Sequence, residues 1–477
     1  MRFFADINEK NIKFVNGGIV ILMAKIINLR KGLNLRLKGE ADRRIERLAA
    51  PHSYGITFDD FTGVVPGMLV QPGDRVKAGS PLFFDKNHPQ ILWSSPVSGS
   101  VSEVVRGEKR KLMHLSIIPD EKIAYEEMKV PAAKDATCEN IKKAILDAGL
   151  WPLLIQRPYG IIANPDDTPK AIFVSGFDTA PLAADVNYII EEEYSNLLAG
   201  VEMLKKLTSG QVHISVNDRQ YGVLHRLYSA ELHFFRGPHP AGNVGVQINH
   251  TDPINKGETV WTLSAQSLAI LGRLFTTGKV DMRRKVAVAG SGLINTFYVS
   301  TITGASIGSM VLRDNIAPQK RGSGVRIVSG NLLTGSKRTF DGYLGYYDNS
   351  VTVIAEGDFS EMFGWARPRL ERFSVSRACF SWLMPWRRYS PDTNLNGEVC
   401  PLVFSGLYER YLPMDIYPIY LLKAILAGDI DRMEELGIYE VVEEDLALCE
   451  FVDPSKTEMQ AILRDGINLM IKEMGRI

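Results

Sequence analysis

Apolar positions in the first quarter of the chain recur at short spacing between turns rich in proline and glycine. From about residue 24 to 119, a few apolar positions are followed each time by a Pro-Gly, Ala-Gly or Ser-Pro interruption. This spacing is typical of short β-strands joined by tight turns. The pattern therefore predicts an all-β domain over residues 23–121, preceded by an extension, residues 1–22, that we expect to lie outside the fold.

Two segments of this region resemble the halves of a lipoyl/biotinyl-type barrel-sandwich. They are PGDRVKAGSPLF (72–83) and SPVSGSVSEV (95–104), and Lys86 falls where a carrier domain would present its modified lysine. One interpretation is therefore a carrier protein that uses Lys86. The other is an unmodified structural barrel, which is favoured because Asn-His-Pro follows Lys86 where a small, apolar strand start would be expected.

Strand and helix patterns alternate between residues 122 and 280, which predicts a Rossmann-like α/β domain. After a linker-like stretch, helices are expected at 140–149, 183–207 and 262–276, and strands at 171–175, 212–216 and 230–235. The segment before the strand at 171–175 is proline-bearing and acidic, with Gly160 as its single glycine. Because phosphate-cradling loops need glycines and free N–H groups, no cofactor is expected to bind there.

The loop GPHPAGN (237–243) is the most distinctive connection in this domain. Its prolines and glycines fix an unusual backbone, which suits either a ligand or partner contact or a rigid connection. We take His239, Pro240, Gly242 and Asn243 as candidate residues of such a contact. His239 and His250 lack a third nearby metal ligand, and the four cysteines are far apart, so no metal site is expected.

Two glycine motifs further along resemble nucleotide-binding loops without meeting their requirements. The stretch 285–295 contains Gly290-x-Gly292, but the β-branched and aromatic residues that follow predict a hairpin in place of the helix that a pyrophosphate needs. The stretch 330–337 reads Gly-Ser-Lys where a P-loop reads Gly-Lys-Ser/Thr. A nucleotide site near Gly290 stays an alternative to be tested.

The last quarter of the chain, residues 358–477, changes character from strands to helices. An aromatic and basic stretch, 359–388, contains Trp365 and Trp382, which fit either a plain hydrophobic core or, because tryptophan often dominates interfaces, candidate partner contacts. Helices are expected at 416–427, 430–436, 443–449 and 458–473. The zero formal net charge disfavours nucleic-acid binding, and no apolar run approaches the length of a membrane span.

Ordered motifs over nearly the whole chain after residue 22 resemble one family, the A subunit (NqrA) of the sodium-translocating NADH:quinone oxidoreductase (Nqr). The motifs are Lys31-Gly-Leu33 with Gly39, PVSGSVSEVVRGEKR (96–110), FVSGFDTAPLAADV (173–186), GPHPAGN (237–243), VAVAGSGLIN (286–295), RIVSGNLLTG (326–335), YERYLPMDIYPIYLLKAILAGD (408–429) and EEDLALCEFVDPSK (443–456). This family is similar to the C subunit of the Rnf complex and to the flavin-binding subunit of complex I. By this resemblance, residues 281–357 are expected to form a β-grasp (SLBB-like) domain, and segment 159–169 occupies the place of the flavin loop.

The resemblance implies a peripheral, cofactor-free subunit without catalytic residues of its own. The complex would pass electrons from NADH to a quinone and export Na⁺, with FMN, FAD or riboflavin and an iron–sulfur centre in other subunits. The expected partners are the other members of the six-subunit complex, especially its quinone-binding membrane subunit, and a quinone is a further candidate. The expected location is the cytoplasmic side of the bacterial inner membrane.

Overall fold

The computed structural model describes residues 11–15, 18–22, 26–132, 134–319, 324–358, 370, 372–377, 379–395, 399–402 and 406–474, with side chains from residue 26 onward. The strands of these residues are β1 (Asn11–Val15), β2 (Gly18–Leu22), β3 (Ile26–Asn28), β4 (Ile45–Glu46), β5 (Tyr54–Thr57), β6 (Pro66–Met68), β7 (Arg75–Val76), β8 (Pro81–Asp85), β9 (Leu92–Ser94), β10 (Gly99–Arg106), β11 (Leu112–Pro119), β12 (Ile155–Arg157), β13 (Ile161–Ile162), β14 (Ile172–Ser175), β15 (Val212–Asn217), β16 (Glu231–Arg236), β17 (Val260–Ser264), β18 (Arg283–Ala289), β19 (Phe297–Ile302), β20 (Val325–Ser329), β21 (Ser336–Arg338) and β22 (Ser350–Ala355). The helices are α1 (Cys138–Asp147), α2 (Val186–Ile190), α3 (Tyr194–Leu204), α4 (Val244–Thr251), α5 (Ala265–Thr277), α6 (Ile307–Met310), α7 (Pro418–Ala427), α8 (Ile430–Glu435), α9 (Glu443–Val452) and α10 (Met459–Met474).

Two small antiparallel sheets share an aromatic core in the N-terminal region. One has the order β5-β11-β10-β7 and the other β6-β8-β9. Phe83 stacks on Trp93 with ring centroids 4.7 Å apart, and Phe61 meets the same indole edge-on at 5.1 Å. All three rings are buried. The short-strand pattern thus forms the two-sheet arrangement that a barrel-sandwich requires.

The second region of the fold is built on a seven-stranded sheet with the order β13-β12-β17-β14-β15-β16-β3. Strands β17, β14, β15, β16 and β3 run parallel, whereas β12 and β13 are antiparallel additions at one edge. β14 is apolar on both faces because α5 packs against one side and α4 against the other. Helix α3 approaches α5 closely at Gly272, where a Cβ would lie 1.8 Å from the carbonyl oxygen of Asn196.

Two helix predictions in this region were wrong in extent. The helix expected over 183–207 is divided into α2 and α3 by the acidic residues Glu191–Glu193. The helix expected over 262–276 begins only at Ala265, because the first three residues belong to β17, a strand between β12 and β14 that is buried up to Leu263. A short apolar run has no periodicity that separates a buried strand from a helix. Ser264 ends the strand and caps α5 by accepting a hydrogen bond from the backbone N–H of Ser267 at 3.1 Å.

A six-stranded sheet with the order β21-β20-β22-β18-β19-β4 follows. The hairpin expected after residue 285 is confirmed, since β18 and β19 pair antiparallel. Gly290 adopts a φ of +119°, and a Cβ there would lie 2.0 Å from the carbonyl oxygen of Val353. Gly290 is therefore needed for close packing on β22, and no helix follows it to receive a nucleotide phosphate.

The C-terminal helices α7, α9 and α10 build a second hydrophobic core against the outer end of the seven-stranded sheet. Leu422, Leu446 and Leu463, one from each helix, are fully buried there. At the other terminus β1 and β2 pair only with each other among the described strands. Within the described ranges, no helix combines the length and apolar character that crossing a bilayer requires.

Candidate functional site

A cleft of about 710 Å³ lies at the carboxyl ends of β14 and β17, where Ser175 and Ser264 end the two strands. Its opposite walls come from the loops around Gly330 and Asp348 and from the starts of α9 and α10. The carboxyl edge of a parallel sheet is the usual position for a ligand in open α/β folds. The cleft is therefore the candidate site, and it joins three regions of the chain.

Arg157, at the end of β12, forms one wall of the cleft and is bound by two carboxylates. Its Nη1 lies 2.8 Å from Oδ2 of Asp445, and its Nη2 pairs with Glu444. The guanidinium and Asp445 are almost fully buried. Burial raises the pKa of the Glu444 carboxyl, against the lowering effect of Arg157 and with a further raising effect of Asp445.

The Asp445 carboxylate also lies at the beginning of α4. A Cβ on Gly245, in the first turn of that helix, would lie 2.5 Å from Oδ1 of Asp445. The side-chain Nδ2 of Asn243, the residue before α4, donates to the backbone oxygen of Glu444 at 2.9 Å. The Asp445 carboxylate thus places negative charge beside the first turn of α4, where a helix N-terminus favours it.

Arg464, on α10, is the second arginine of the cleft. It forms a two-pronged ion pair with Glu443, with Nη2 2.6 Å from Oε2, and its Nη1 donates to the backbone oxygen of Tyr159 at 2.9 Å. Bidentate pairs of this kind hold a guanidinium in a fixed orientation. Both arginines that line the cleft are thus engaged by carboxylates of the chain.

Two further carboxyl groups line the cleft. Asp178, just after β14, accepts a hydrogen bond from the backbone N–H of Ala180 at 2.8 Å. Asp348 accepts a hydrogen bond from the Ser329 hydroxyl at 2.6 Å, and burial raises its pKa. The lining therefore carries four carboxyl groups, Asp178, Asp348, Glu443 and Glu444, against two arginines.

The loop 237–243 brings His239 to the cleft. His239 Nδ1 lies 3.1 Å from Oγ1 of Thr179, and that oxygen already accepts the backbone N–H of Gly242 at 2.9 Å. In the tautomer with the ring proton on Nε2, Nδ1 accepts the hydroxyl proton of Thr179. Nε2 is buried and has no hydrogen-bond partner among the described residues, while burial lowers the pKa of the imidazole to about 4.

The residues that the sequence singles out for a contact do not all meet at the cleft. His239, Gly242 and Asn243 line it, and Pro240 lies in the same loop, where its carbonyl accepts the backbone N–H of Asn243 at 2.9 Å. Trp382 is not among the lining residues and is half exposed. Trp365 lies outside the described residues.

Sequence reasoning missed the charged residues of the cleft. Arg157 and Asp445 are 288 positions apart, and neither stands in a motif that points to the other. The proline-bearing, acidic segment before β14 reaches the cleft through Gly160, and its acidic residues Asp166 and Asp167 are not among the lining residues. Two of the four carboxyl groups of the lining come from Glu443 and Glu444 in the first turn of α9, where a helix N-terminus favours negative charge.

Comparison with known proteins identifies the family of this chain. The sequence model described as the NqrA N-terminal barrel-sandwich hybrid domain matches residues 27–120, and that of the NqrA second alpha/beta domain matches residues 136–280. The A subunit of the Na(+)-translocating NADH-quinone reductase of Yersinia pestis is 36% identical over 94% of this chain and 100% of its own length. The chain belongs to the NqrA family.

Other comparisons extend this result. The corresponding protein of Neisseria meningitidis serogroup B is 34% identical over 94% of this chain and 100% of its own length. Among solved structures, an NAD+-reducing [NiFe]-hydrogenase in the air-oxidized state aligns over 72% of this chain and 62% of that chain, with 12% identity and a TM-score of 0.36, too low to support a conclusion. The NqrA domains confirm the predicted fold class, and membership of a family of subunits implies other subunits in a complex.

The NqrA assignment also bears on Lys86. The residue is exposed, directly after β8, and its backbone N–H donates to the carbonyl oxygen of Val65 at 2.9 Å. Asp85 is buried beside it and accepts hydrogen bonds from the backbone N–H groups of Val65 and Asn87. The turn is thus closed by its own backbone and Asp85, and none of the comparisons favours a carrier function.

Proposed function

We propose that this chain is the cofactor-free peripheral subunit of a Na⁺-pumping NADH:quinone oxidoreductase, on the cytoplasmic side of the bacterial inner membrane. In this proposal FMN, FAD or riboflavin and an iron–sulfur centre belong to other subunits, which carry the electrons from NADH to the quinone. The chain itself shapes and supports the part of the complex near the quinone. The family membership supports the complex, and the charges of the cleft support the absence of a flavin.

The observation that carries the proposal is the position of Asp445 against the first turn of α4. A flavin phosphate at the carboxyl edge of the sheet would need a free helix N-terminus or an unpaired cation. Asp445 places its charge beside the first turn of α4, and it also holds Arg157. Arg464 is held by Glu443, so an incoming phosphate would have to displace carboxylates that are covalently part of the chain.

A titration of the isolated full-length chain with FMN and with riboflavin tests the proposal. Isothermal titration calorimetry is expected to show no binding of either flavin in the micromolar range. The matched variant Glu443→Gln/Glu444→Gln removes two negative charges from the cleft and should bind FMN more tightly than the unmodified chain does, without a similar gain for riboflavin, which lacks the phosphate. Stoichiometric, tight binding of FMN to the unmodified chain would overturn the proposal.

The finer role concerns the quinone, and His239 supports it. A neutral imidazole with its proton on Nε2, and with no partner there among the described residues, can donate a hydrogen bond to a quinone carbonyl. Photo-crosslinking of the assembled complex with a quinone probe is expected to label the loop 237–243, and His239→Gln should reduce this labelling. Labelling confined to membrane subunits would restrict the chain to a purely structural role.

Contact with the quinone-binding membrane subunit is the remaining part of the proposal. The aromatic surface formed by Phe380, Trp382, Leu383 and Trp386 is exposed, with Trp386 73% accessible. Arg377 lies over the Trp382 ring at 5.7 Å from its centroid. Tryptophan and arginine are the residues most often found at the energetic centre of interfaces, which supports this surface as the partner contact.

A further inference from the structure

A cluster of metal-ligating side chains lies on the seven-stranded sheet, away from the cleft. His213 on β15 pairs in register with Glu231 on β16, and Ser215 pairs with His233. Since side chains two residues apart on a strand point to the same face, His213, Glu231 and His233 all emerge on one side of the sheet. They form the group of three potential ligands that the described residues offer within 4.8 Å of one another.

The distances in this cluster resemble those of a metal site. His213 Nδ1 lies 2.9 Å from His233 Nε2 and 3.5 Å from Oε2 of Glu231. In a tetrahedral zinc site with bonds of about 2.0–2.1 Å, neighbouring ligand atoms are about 3.3 Å apart. His213 Nδ1 is thus within a few tenths of an ångström of this spacing from both other ligand atoms, and all three atoms lie within 4.8 Å of one another.

The three potential ligands differ in how tightly the surrounding residues hold them. The His213 ring stacks on Phe173 at a centroid distance of 4.7 Å and is 7% exposed. Glu231, with 53% of its side chain exposed, lies on the solvent side. This arrangement gives one rigid ligand, one partly buried ligand and one mobile ligand beside water, which can supply a fourth ligand atom.

The nearby charges also suit a cation. Lys170 is the basic group that acts on His213, and its Nζ is held by Asp252 at 2.6 Å and by Glu258 at 2.9 Å. These two carboxylates outweigh the single ammonium charge. With Glu231, the region carries a net negative charge toward an incoming divalent ion.

We propose that His213 Nδ1, His233 Nε2 and a Glu231 carboxylate oxygen bind one divalent transition-metal ion of the Zn²⁺ class, with water as the fourth ligand. Two imidazoles and one carboxylate form a ligand set that Zn²⁺ and Co²⁺ accept in preference to Mg²⁺ or Ca²⁺. The ion would link β15 to β16 on the face that also carries α4. This site is independent of the flavin and quinone chemistry of the complex.

Metal titration of the full-length chain tests the site directly. After treatment with EDTA and removal of the chelator, the chain is titrated with Zn²⁺ by calorimetry and with Co²⁺ by visible absorption, whose intensity distinguishes tetrahedral from octahedral coordination. One equivalent of each metal is expected to bind, with the intense spectrum of a tetrahedral cobalt site. A weak octahedral spectrum or less than one equivalent of bound metal would overturn the proposal.

Variants assign the ligands. Glu231→Gln and His233→Gln should each weaken Zn²⁺ binding by at least about 100-fold, since even loss of an outer hydrogen-bond partner costs about 10–100-fold. The control His52→Gln removes an exposed histidine elsewhere and should leave the affinity unchanged. Glu231 is at the surface, so its variant is expected to fold as the unmodified chain does, which circular dichroism in the absence of metal verifies. Equal affinities of Glu231→Gln and His52→Gln would contradict the assignment.

Discussion

Arg157 and Asp445 form a buried ion pair that joins the seven-stranded sheet to the C-terminal helices, with Nη1 and Oδ2 2.8 Å apart. Oδ2 of Asp445 also accepts the backbone N–H of Val442 at 3.0 Å, which fixes the start of α9. The two residues come from segments 288 positions apart. The pair therefore holds the end of β12 and the start of α9 together at the cleft.

Loss of the Asp445 charge should destabilise the chain strongly. Asp445→Asn leaves the buried Arg157 guanidinium with Glu444 as its carboxylate partner, and breaking a buried pair costs about 3–5 kcal/mol. Urea unfolding followed by circular dichroism measures this free energy. The control Glu40→Gln removes one partner of the exposed pair with Arg388 and should change the free energy of unfolding by less than about 1 kcal/mol. Equal effects of the two substitutions would contradict the structural role of the Arg157–Asp445 pair.

His239 should make the chain less stable in acid. Its folded-state pKa of about 4 is below the ordinary value of 6.5, so the unfolded chain binds an extra proton between these values. The stability that the neutral imidazole provides is fully present above pH 6.5 and is lost as the pH falls through 4. At about 1.4 kcal/mol per pKa unit, the loss amounts to about 3 kcal/mol.

His239→Gln isolates this effect. Burial raises the pKa of Asp60 to about 6, so this residue changes the stability in the opposite direction over the same pH range. The quantity to compare is therefore the difference in unfolding free energy between the variant and the unmodified chain, from which the contribution of Asp60 cancels. That difference in unfolding free energy should change by about 3 kcal/mol between pH 7 and pH 4. A flat difference for His239→Gln would show that the imidazole is not buried in its neutral form.

The aromatic surface should matter for assembly and not for folding. Trp386→Ala is expected to weaken retention of the chain in the purified complex by roughly 30-fold in Kd, which corresponds to a hot-spot contribution of about 2 kcal/mol. Because the side chain is 73% exposed, the melting temperature of the isolated chain should stay the same. Tyr221→Ala, which removes a ring that is 76% exposed elsewhere, is the matched control. Equal retention of both variants would exclude this surface as the contact.

Lys86 should carry no prosthetic group. Peptide mass spectrometry of the chain from its native host is expected to give the unmodified mass for the peptide that contains this residue. A lipoyl or biotinyl mass increment would support the carrier interpretation. A recombinant chain produced without lipoyl or biotinyl ligases provides the unmodified reference mass.

The sequence predicts the local elements well where a single pattern dominates. The strand expected at 171–175 is observed as Ile172–Ser175, and the strand expected at 212–216 is observed as Val212–Asn217. Helix α1 follows from its apolar face, and Thr137 caps it by accepting the backbone N–H of Asn140 at 3.3 Å. In these segments the burial pattern and the capping residues agree, so the local signal is sufficient.

Contacts between segments that are far apart in the chain cannot be predicted from local sequence patterns in the same way. β3 and β4 are two or three residues long and add to sheets whose other strands lie far along the chain, and such short segments carry no register signal. The metal-ligand cluster is similarly hidden, because His213 and His233 are 20 positions apart and meet only through strand pairing. Histidine–x–serine and glutamate–x–histidine patterns on adjacent parallel strands are the signal that could have revealed it.

The pairing of both cleft arginines with carboxylates of the chain predicts that this subunit carries no flavin in the working complex. Native mass spectrometry of the chain released from the purified, fully assembled complex measures this, because every cofactor of the complex has then been available to the chain. The mass is expected to equal that of the polypeptide, with all flavin recovered on other subunits. A stoichiometric flavin adduct on this chain would show that the chain is not cofactor-free.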